Sequence, residues 1–327
     1  MPKILILRFS SIGDIVLTTP VIRCIKQQVP GAEVHYCTKK AFQSILANNP
    51  YVDKVHVLGE KLSDLVQELK AENFDYVVDL HNNLRTRIIK TRLGKPSRSF
   101  NKLNYEKWLM VNFKLNRLPD VHIVQRYLDA AAALGVKDDG GGLDYFIPAQ
   151  DEVGVHTLPE GFQQGYVAFA IGAQHYTKRL PTERIIELCE RLQQPVILLG
   201  GKEDAATGEE IASYFQKQTT NTEHRTTIYN ACGKYSLNGS ASLVRQATQV
   251  VSHDTGLMHI AAAFRKDIIS VWGNTIPEFG MYPFRTKYKV LEVQGLSCRP
   301  CSKIGYSKCP KGHFKCMRDI SFEDLKV

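Results

Sequence analysis

The stretch Ile4-Leu5-Ile6-Leu7-Arg8-Phe9-Ser10-Ser11-Ile12-Gly13-Asp14 decides the fold. A run of apolar residues closed by a Ser-Ser-Ile-Gly turn predicts a buried strand over Ile4–Phe9. Helical spacing follows over Ile15–Val29, with Val16, Val21, Ile22 and Ile25 on one side. Working outward, strands are expected at Val34–Cys37, Val55–Leu58 and Tyr76–Leu80, with helices at Ala41–Ala47 and Leu62–Ala71 between them. Strands alternating with helices imply a parallel sheet covered on both faces.

The alternation fades between Lys137 and Gln164. There Asp138-Asp139-Gly140-Gly141-Gly142 reads as a flexible turn, Tyr145–Ile147 as a possible short strand, and the whole as an interdomain linker. It restarts with strands at Tyr166–Ile171, Pro195–Leu199, Val250–Ser252 and Ile268–Val271. Helices are expected at Thr182–Leu192, Ala205–Phe215 and Leu257–Phe264. The expectation is an α/β protein of two successive domains, residues 1–155 and 156–327, binding ligand at the carboxyl ends of parallel strands.

The 327 residues carry 42 Lys+Arg against 33 Asp+Glu, a formal charge of +9. Between Arg85 and Arg117 lie ten cations and one acid, Glu106, so this stretch alone equals the surplus of the chain. A second basic stretch runs from Arg299 to Arg318. Such local charge points to a phosphate-rich partner: nucleic acid, an anionic membrane surface or a phosphorylated substrate. The aromatics within the first stretch match no RNA-binding motif, which argues against nucleic acid. No segment has the roughly 18 consecutive apolar residues of a membrane helix, and Arg8 interrupts any signal-like core. A cytoplasmic protein is expected, with its eight cysteines as free thiols.

Five segments could carry chemistry. Ser11 and Asp14 fit a helix capping box, and Asp14 could also take a proton from a hydroxyl nucleophile. Only Gly13 is present where a dinucleotide site needs three glycines, which argues against an NAD-dependent oxidoreductase. Ser252-His253-Asp254-Thr255-Gly256 leads from a strand into a helix whose N-terminus could hold phosphate. Gly172–Pro181 offers Lys178 or Arg179 to a diphosphate, against the plainer reading of a solvated loop. Asp79-Leu80-His81-Asn82-Asn83-Leu84-Arg85 gathers polar groups after a strand, with Arg85 and Arg87 suited to an anionic substrate. Cys298, Cys301, Cys309 and Cys316, with His313, have partial zinc-ligand spacing. Buried free thiols are the preferred reading and structural zinc the alternative.

Together these segments resemble glycosyltransferase family 9, the bacterial heptosyltransferases. The resemblance rests on Ile4–Pro20, Asp79–Arg85, Lys178-Arg179-Leu180-Pro181 and Ser252–His259. Cys309-Pro310-Lys311-Gly312-His313 and Cys316-Met317 look like a segment of the heptosyltransferase II branch. The resemblance implies a GT-B fold, two Rossmann-like domains facing across a cleft. The N-terminal half would bind acceptor and the C-terminal half nucleotide sugar. It implies inverting, metal-independent and cofactor-free transfer of heptose from an ADP-sugar donor to a phosphorylated lipid A–core acceptor. The catalytic base would fall on Asp14, and nucleotide binding on Lys178, Asp254, Thr255 and Gly256. Acceptor contacts are expected from Ser10, Ser11, Gly13, His81, Asn82 and Arg85. The enzyme would sit at the inner face of the cytoplasmic membrane, held transiently by anionic lipid, with no nucleic acid as partner. Leu180 stands where family members often carry Trp, and His253 receives no role. The rivals are a sugar-nucleotide epimerase or other GT-B enzyme, and a nucleic-acid-binding protein.

Overall fold

A computed structural model of the protein describes residues 1–217, 226–323 and 325. Close contacts divide the chain into two compact units. The first comprises Met1–Leu103 with Asp120–Pro148, and the second Asn104–Pro119 with Ala149–Val327.

The first unit holds strands β1 (Lys3–Leu7), β2 (Glu33–Lys39), β3 (Lys54–Leu58), β4 (Tyr76–Asp79) and β5 (Ser97–Ser99). Its helices are α1 (Ile12–Val16), α2 (Thr19–Gln28), α3 (Leu62–Ala71), α4 (Leu84–Leu93) and α6 (Ile123–Asp129); α5 (Asn104–Phe113) lies between α4 and α6 in sequence but belongs to the second unit. All strand pairs are parallel, in the order β3-β2-β1-β4-β5. Ile4, Leu5, Ile6 and Leu7 are fully buried, because β1 is the central strand and both its faces are covered. Each such side chain contributes about 1.5–3 kcal/mol by leaving water. The expected helix over Ile15–Val29 is two helices instead. The second starts after Thr18, with Pro20 in its first turn, where a missing N–H is harmless. The expected helix at Ala41–Ala47 is a 3-10 turn over Lys40–Ile45.

The second unit holds β6 (Val167–Ala170), β7 (Val196–Leu199), β8 (Ile228–Asn230), β9 (Gln249–His253), β10 (Ile268–Trp272) and β11 (Tyr288–Glu292). Its further helices are α7 (Thr182–Leu192), α8 (Ala205–Lys217), α9 (Leu237–Gln246), α10 (Gly256–Ala263) and α11 (Lys315–Arg318). The strands are again all parallel, ordered β11-β10-β9-β6-β7-β8. One core joins Phe169, Leu188, Leu198, Val251 and Val271 to Phe314, Met317, Ile320 and Phe322 of the C-terminal segment. In both sheets the order reverses beside the first strand, between β1 and β4 and between β6 and β9. Such a reversal opens a crevice at the carboxyl ends of the strands.

The segment read as a flexible turn is tied down. Arg23 of α2, 6% exposed, bonds both oxygens of Asp139 at 2.6 and 2.8 Å, reaches Asp144, and donates to the carbonyl of Gly142 at 2.9 Å. A Cβ at Gly141 would lie 2.6 Å from the guanidinium, so the clamp needs glycine there. Tyr145–Ile147 forms no strand.

Candidate functional site

In the first unit, Leu7 of β1 pairs with Asp79 of β4, so the segments following these strands emerge together at the order reversal. Asp14 lies in the first turn of α1 and accepts from the Ser11 hydroxyl at 2.7 Å and the Ser11 N–H at 3.2 Å. Its other oxygen meets the Arg8 guanidinium at 2.5 Å. Arg8 is 8% exposed and also donates to the carbonyls of Ser10 (2.8 Å) and Leu80 (2.5 Å). Burial opposes the Arg8 charge, but Asp14 and the other groups around it outweigh this and raise its pKa. Arg8 thus links the two segments and orients the Asp14 carboxylate.

His81 lies beside this pair, its ring 5.5 Å from Phe9. Burial, then Arg8 and Lys102, push its imidazole down to about 4, so it is neutral near pH 7. Its Nδ1 is buried with no hydrogen-bond partner within the protein. Such an atom marks a position where a ligand or water can bond. Asp79, fully buried, accepts from the N–H groups of His81 (3.1 Å) and Asn82 (2.7 Å) and pairs with Lys90 at 2.9 Å. Asn82 takes a positive φ of 49° and bonds the Phe100 carbonyl. Asn83 caps α4, leaving Arg85 and Arg87 exposed on it. Ser10 and Gly13 belong to the same turn as Asp14.

In the second unit, the segments after β6 and β9 meet in the same way. Lys178 Nζ contacts an Asp254 oxygen at 2.6 Å and the Asp254 carbonyl at 3.3 Å. The same carboxylate oxygen accepts from Thr275 at 2.9 Å. Thr255 caps α10 in an extended conformation, 3.3 Å from the Ser252 hydroxyl, and Gly256 is the first helical residue. The cap leaves the first N–H groups of α10 for a ligand. Arg179 is committed elsewhere: it donates to the Ala173 carbonyl at 2.6 Å and pairs with Asp204 at 3.0 Å. A Cβ at Gly172 would lie 2.2 Å from that Asp204 carboxylate, which explains the glycine.

Three contributors were not assigned from sequence. Arg8 orients Asp14. His253, fully buried, accepts from the Leu180 N–H at 3.0 Å and so ties the Lys178 loop to β9. Burial, then Arg179, push its imidazole down to about 3. Asn274, after β10, is 1% exposed, and neither polar atom of its side-chain amide has a partner; its backbone bonds the Thr177 carbonyl. A cation closing a buried strand was a usable signal for Arg8; nothing in the pattern singled out Asn274. Leu180 packs in the core of its unit.

The C-terminal cysteines are placed differently from one another. Cys316 is buried, and burial pushes its thiol up to about 12. Cys298, Cys301 and Cys309 are half-buried, and Cys298 Sγ lies 3.8 Å from His313 Nε2. Among the described residues no three of these thiols and His313 converge closely enough to form a metal-ligand cluster. No described helix is long and apolar enough to cross a membrane.

The architecture has close structural relatives. The crystal structure of the glycosyl transferase family 9 protein from Veillonella parvula superposes with a TM-score of 0.70 at 24% identity, covering 89% of this chain and 86% of that one. E. coli ADP-heptose LPS heptosyltransferase II gives a TM-score of 0.68 at 20% identity, covering 97% and 98%. Lipooligosaccharide heptosyltransferase 2 of Haemophilus influenzae is 27% identical over 298 residues, 85% of each chain. The two doubly wound units therefore have a GT-B fold. The model of glycosyltransferase family 9 (heptosyltransferase) matches residues 62–310, and the chain belongs to that family.

Proposed function

We propose that the protein transfers heptose from an ADP-activated donor to a hydroxyl of the phosphorylated lipid A–core acceptor of lipopolysaccharide. The similarity to named lipooligosaccharide and lipopolysaccharide heptosyltransferases supports the substrates. The observation that carries the mechanism is the Asp14 carboxylate fixed by Arg8 and Ser11 at the strand-order reversal of its unit.

The reaction is a single displacement. The acceptor oxygen bonds to the anomeric carbon as the bond from that carbon to the diphosphate oxygen breaks. Its proton passes to Asp14, and the electron pair leaves with ADP, inverting the anomeric centre. Lys178 and the first N–H groups of α10, at Thr255 and Gly256, stabilise the charge growing on the diphosphate, and no metal takes part in this step. Asp254, braced by Thr275, positions Lys178 for this role. His81, Asn82, Ser10, Ser11, Gly13 and Arg85 contact the acceptor, the neutral His81 using its unpartnered Nδ1. The exposed Arg92 and Arg98, with Lys95, attract an anionic membrane surface on the cytoplasmic side.

The test is product analysis. With ADP-heptose and a heptose-free core acceptor, mass spectrometry should find one added heptose, and NMR an inverted anomeric configuration. Thermal stabilisation by ADP above UDP and GDP should accompany it. Transfer only from UDP- or GDP-sugars, or conversion of donor without acceptor, would redirect the assignment.

A further inference from the structure

On the β2–β3 side of the first sheet, two buried imidazoles face each other. His35 of β2 is 1% exposed and His56 of β3 is fully buried. His35 Nδ1 and His56 Nε2 are 2.9 Å apart. The outer nitrogen of each ring meets a carboxylate: His35 Nε2 meets Glu33 at 2.7 Å, and His56 Nδ1 meets Glu68. Three contacts between hydrogen-bonding atoms need three hydrogens. Two neutral imidazoles carry one each and ionised carboxylates carry none. If each ring donates outward to its carboxylate, the two inner nitrogens present lone pairs to each other. The cluster lacks one positive charge.

A third group converges there. One ligand atom each from His35, His56 and Glu72 lie within 4.8 Å of one another. Glu72 follows α3, and its two oxygens accept from Lys54 and Lys3. Every member of the trio thus has an orienting partner: Glu33 for His35, Glu68 for His56 and the two lysines for Glu72. Metal-ligating imidazoles and carboxylates are held in this manner. Glu33, Glu68 and Glu72 also outnumber Lys3 and Lys54, leaving a net negative surround for a cation.

We propose that His35, His56 and Glu72 bind a divalent transition metal such as zinc, which fills the missing charge and pins the edge strand β3 to β2 and α3. Two imidazoles, a carboxylate and water are a suitable zinc set, with nitrogens about 3.3 Å apart at tetrahedral geometry. A small rotation of the rings reaches that spacing from 2.9 Å. A shared proton would satisfy only the two nitrogens, whereas a cation would also engage the Glu72 carboxylate that converges on them, using lone pairs its two lysine contacts leave over. The proposed role is structural, because the two rings sit within the paired strands β2 and β3 rather than in the turns after β1 and β4 that carry Asp14 and His81.

The test is zinc retention by the full-length chain after chelation and dialysis against micromolar free zinc. The wild type should keep one equivalent that is lost in His56→Gln and weakened at least tenfold in Glu72→Gln. Both variants are checked for folding by circular dichroism, and Glu72→Gln leaves both buried rings in place. Zinc should raise the thermal midpoint of the wild type and of Cys298→Ser alike. Cobalt substitution should give a visible spectrum without a thiolate charge-transfer band. Retention of no zinc by the wild type would assign the gap to a proton. Undiminished retention by Glu72→Gln and His56→Gln, or a thiolate band lost in Cys298→Ser, would assign the metal to the C-terminal cysteines; either result overturns the proposal.

Discussion

The two candidate sites, one in each unit, use opposite charges in the same topological place. In the first unit the exposed-side group is an acid, Asp14, and the group behind it is a buried arginine. In the second the cation, Lys178, is held by an acid, Asp254, which is 9% exposed and braced by Thr275. An arginine forks over several acceptors at once and stays charged, so it suits a permanent brace. A lysine is a point charge on a flexible stem, so it can exchange one anionic partner for another. The first arrangement holds a carboxylate still; the second, under the proposed function, can release its cation to an incoming phosphate.

The strongest way to break this comparison is Asp14→Ala. Transfer should fall about 10²–10⁴-fold, while stabilisation by ADP, measured by thermal shift, stays as in the wild type. Near-normal turnover would remove Asp14 from its role as base. Next comes Lys178→Ala, expected to lower kcat/KM about a hundredfold and to weaken ADP binding. Part of that loss is the unpaired Asp254 charge facing the diphosphate. The double variant Lys178→Ala/Asp254→Asn should therefore bind ADP more tightly than the single one. If it binds more weakly, Asp254 contacts the donor directly.

A third measurement concerns acid stability. The His253 imidazole takes a proton near pH 6.5 when unfolded but resists to about pH 3 when folded. Protons then favour the unfolded chain between those values, so stability is complete above pH 6.5 and falls as pH drops toward 3, by a few kcal/mol. His81 adds to the slope between 6.5 and about 4. His253→Gln, whose amide oxygen can still accept from Leu180, should flatten the urea-unfolding pH profile. An unchanged slope would show that His253 is not a source of it. The smallest effect is at the surface. Charge reversal at Arg92, Lys95 and Arg98 should weaken binding to anionic liposomes, at about 1 kcal/mol for each cation lost near the surface. It should leave turnover on a soluble acceptor unchanged, and unaltered liposome binding would mark these residues as a solvated face.

Much of the architecture was legible because buried parallel strands leave unbroken apolar runs. Val34–Cys37 and Ile268–Val271 lie within observed strands, and Leu62–Ala71 and Thr182–Leu192 match observed helices throughout. The strands that escaped notice, Ser97–Ser99, Ile228–Asn230 and Tyr288–Glu292, all lie at sheet edges, where short or polar segments replace the long apolar run. The turns at Asp14 and Asp254 were visible because helix starts use a small vocabulary of caps. The contacts behind them were not. A cation closing a buried strand marked Arg8 itself, but its bond to Leu80 and that of His253 to Leu180 each join residues more than seventy positions apart, which no local spacing encodes.

The segment Asn104–Pro119 has a practical consequence. It stands in the N-terminal half of the sequence yet packs with the C-terminal unit, where Lys107 lies over the Phe279 ring at 5.6 Å and Lys114 donates to the Pro300 carbonyl at 2.7 Å. The backbone therefore passes from one unit to the other three times. A chimera made with a single junction near residue 150 would graft a foreign 104–119 helix onto the resident C-terminal unit. Exchanging specificities between relatives by recombination calls for three junctions, with α5 travelling alongside the C-terminal unit it packs on.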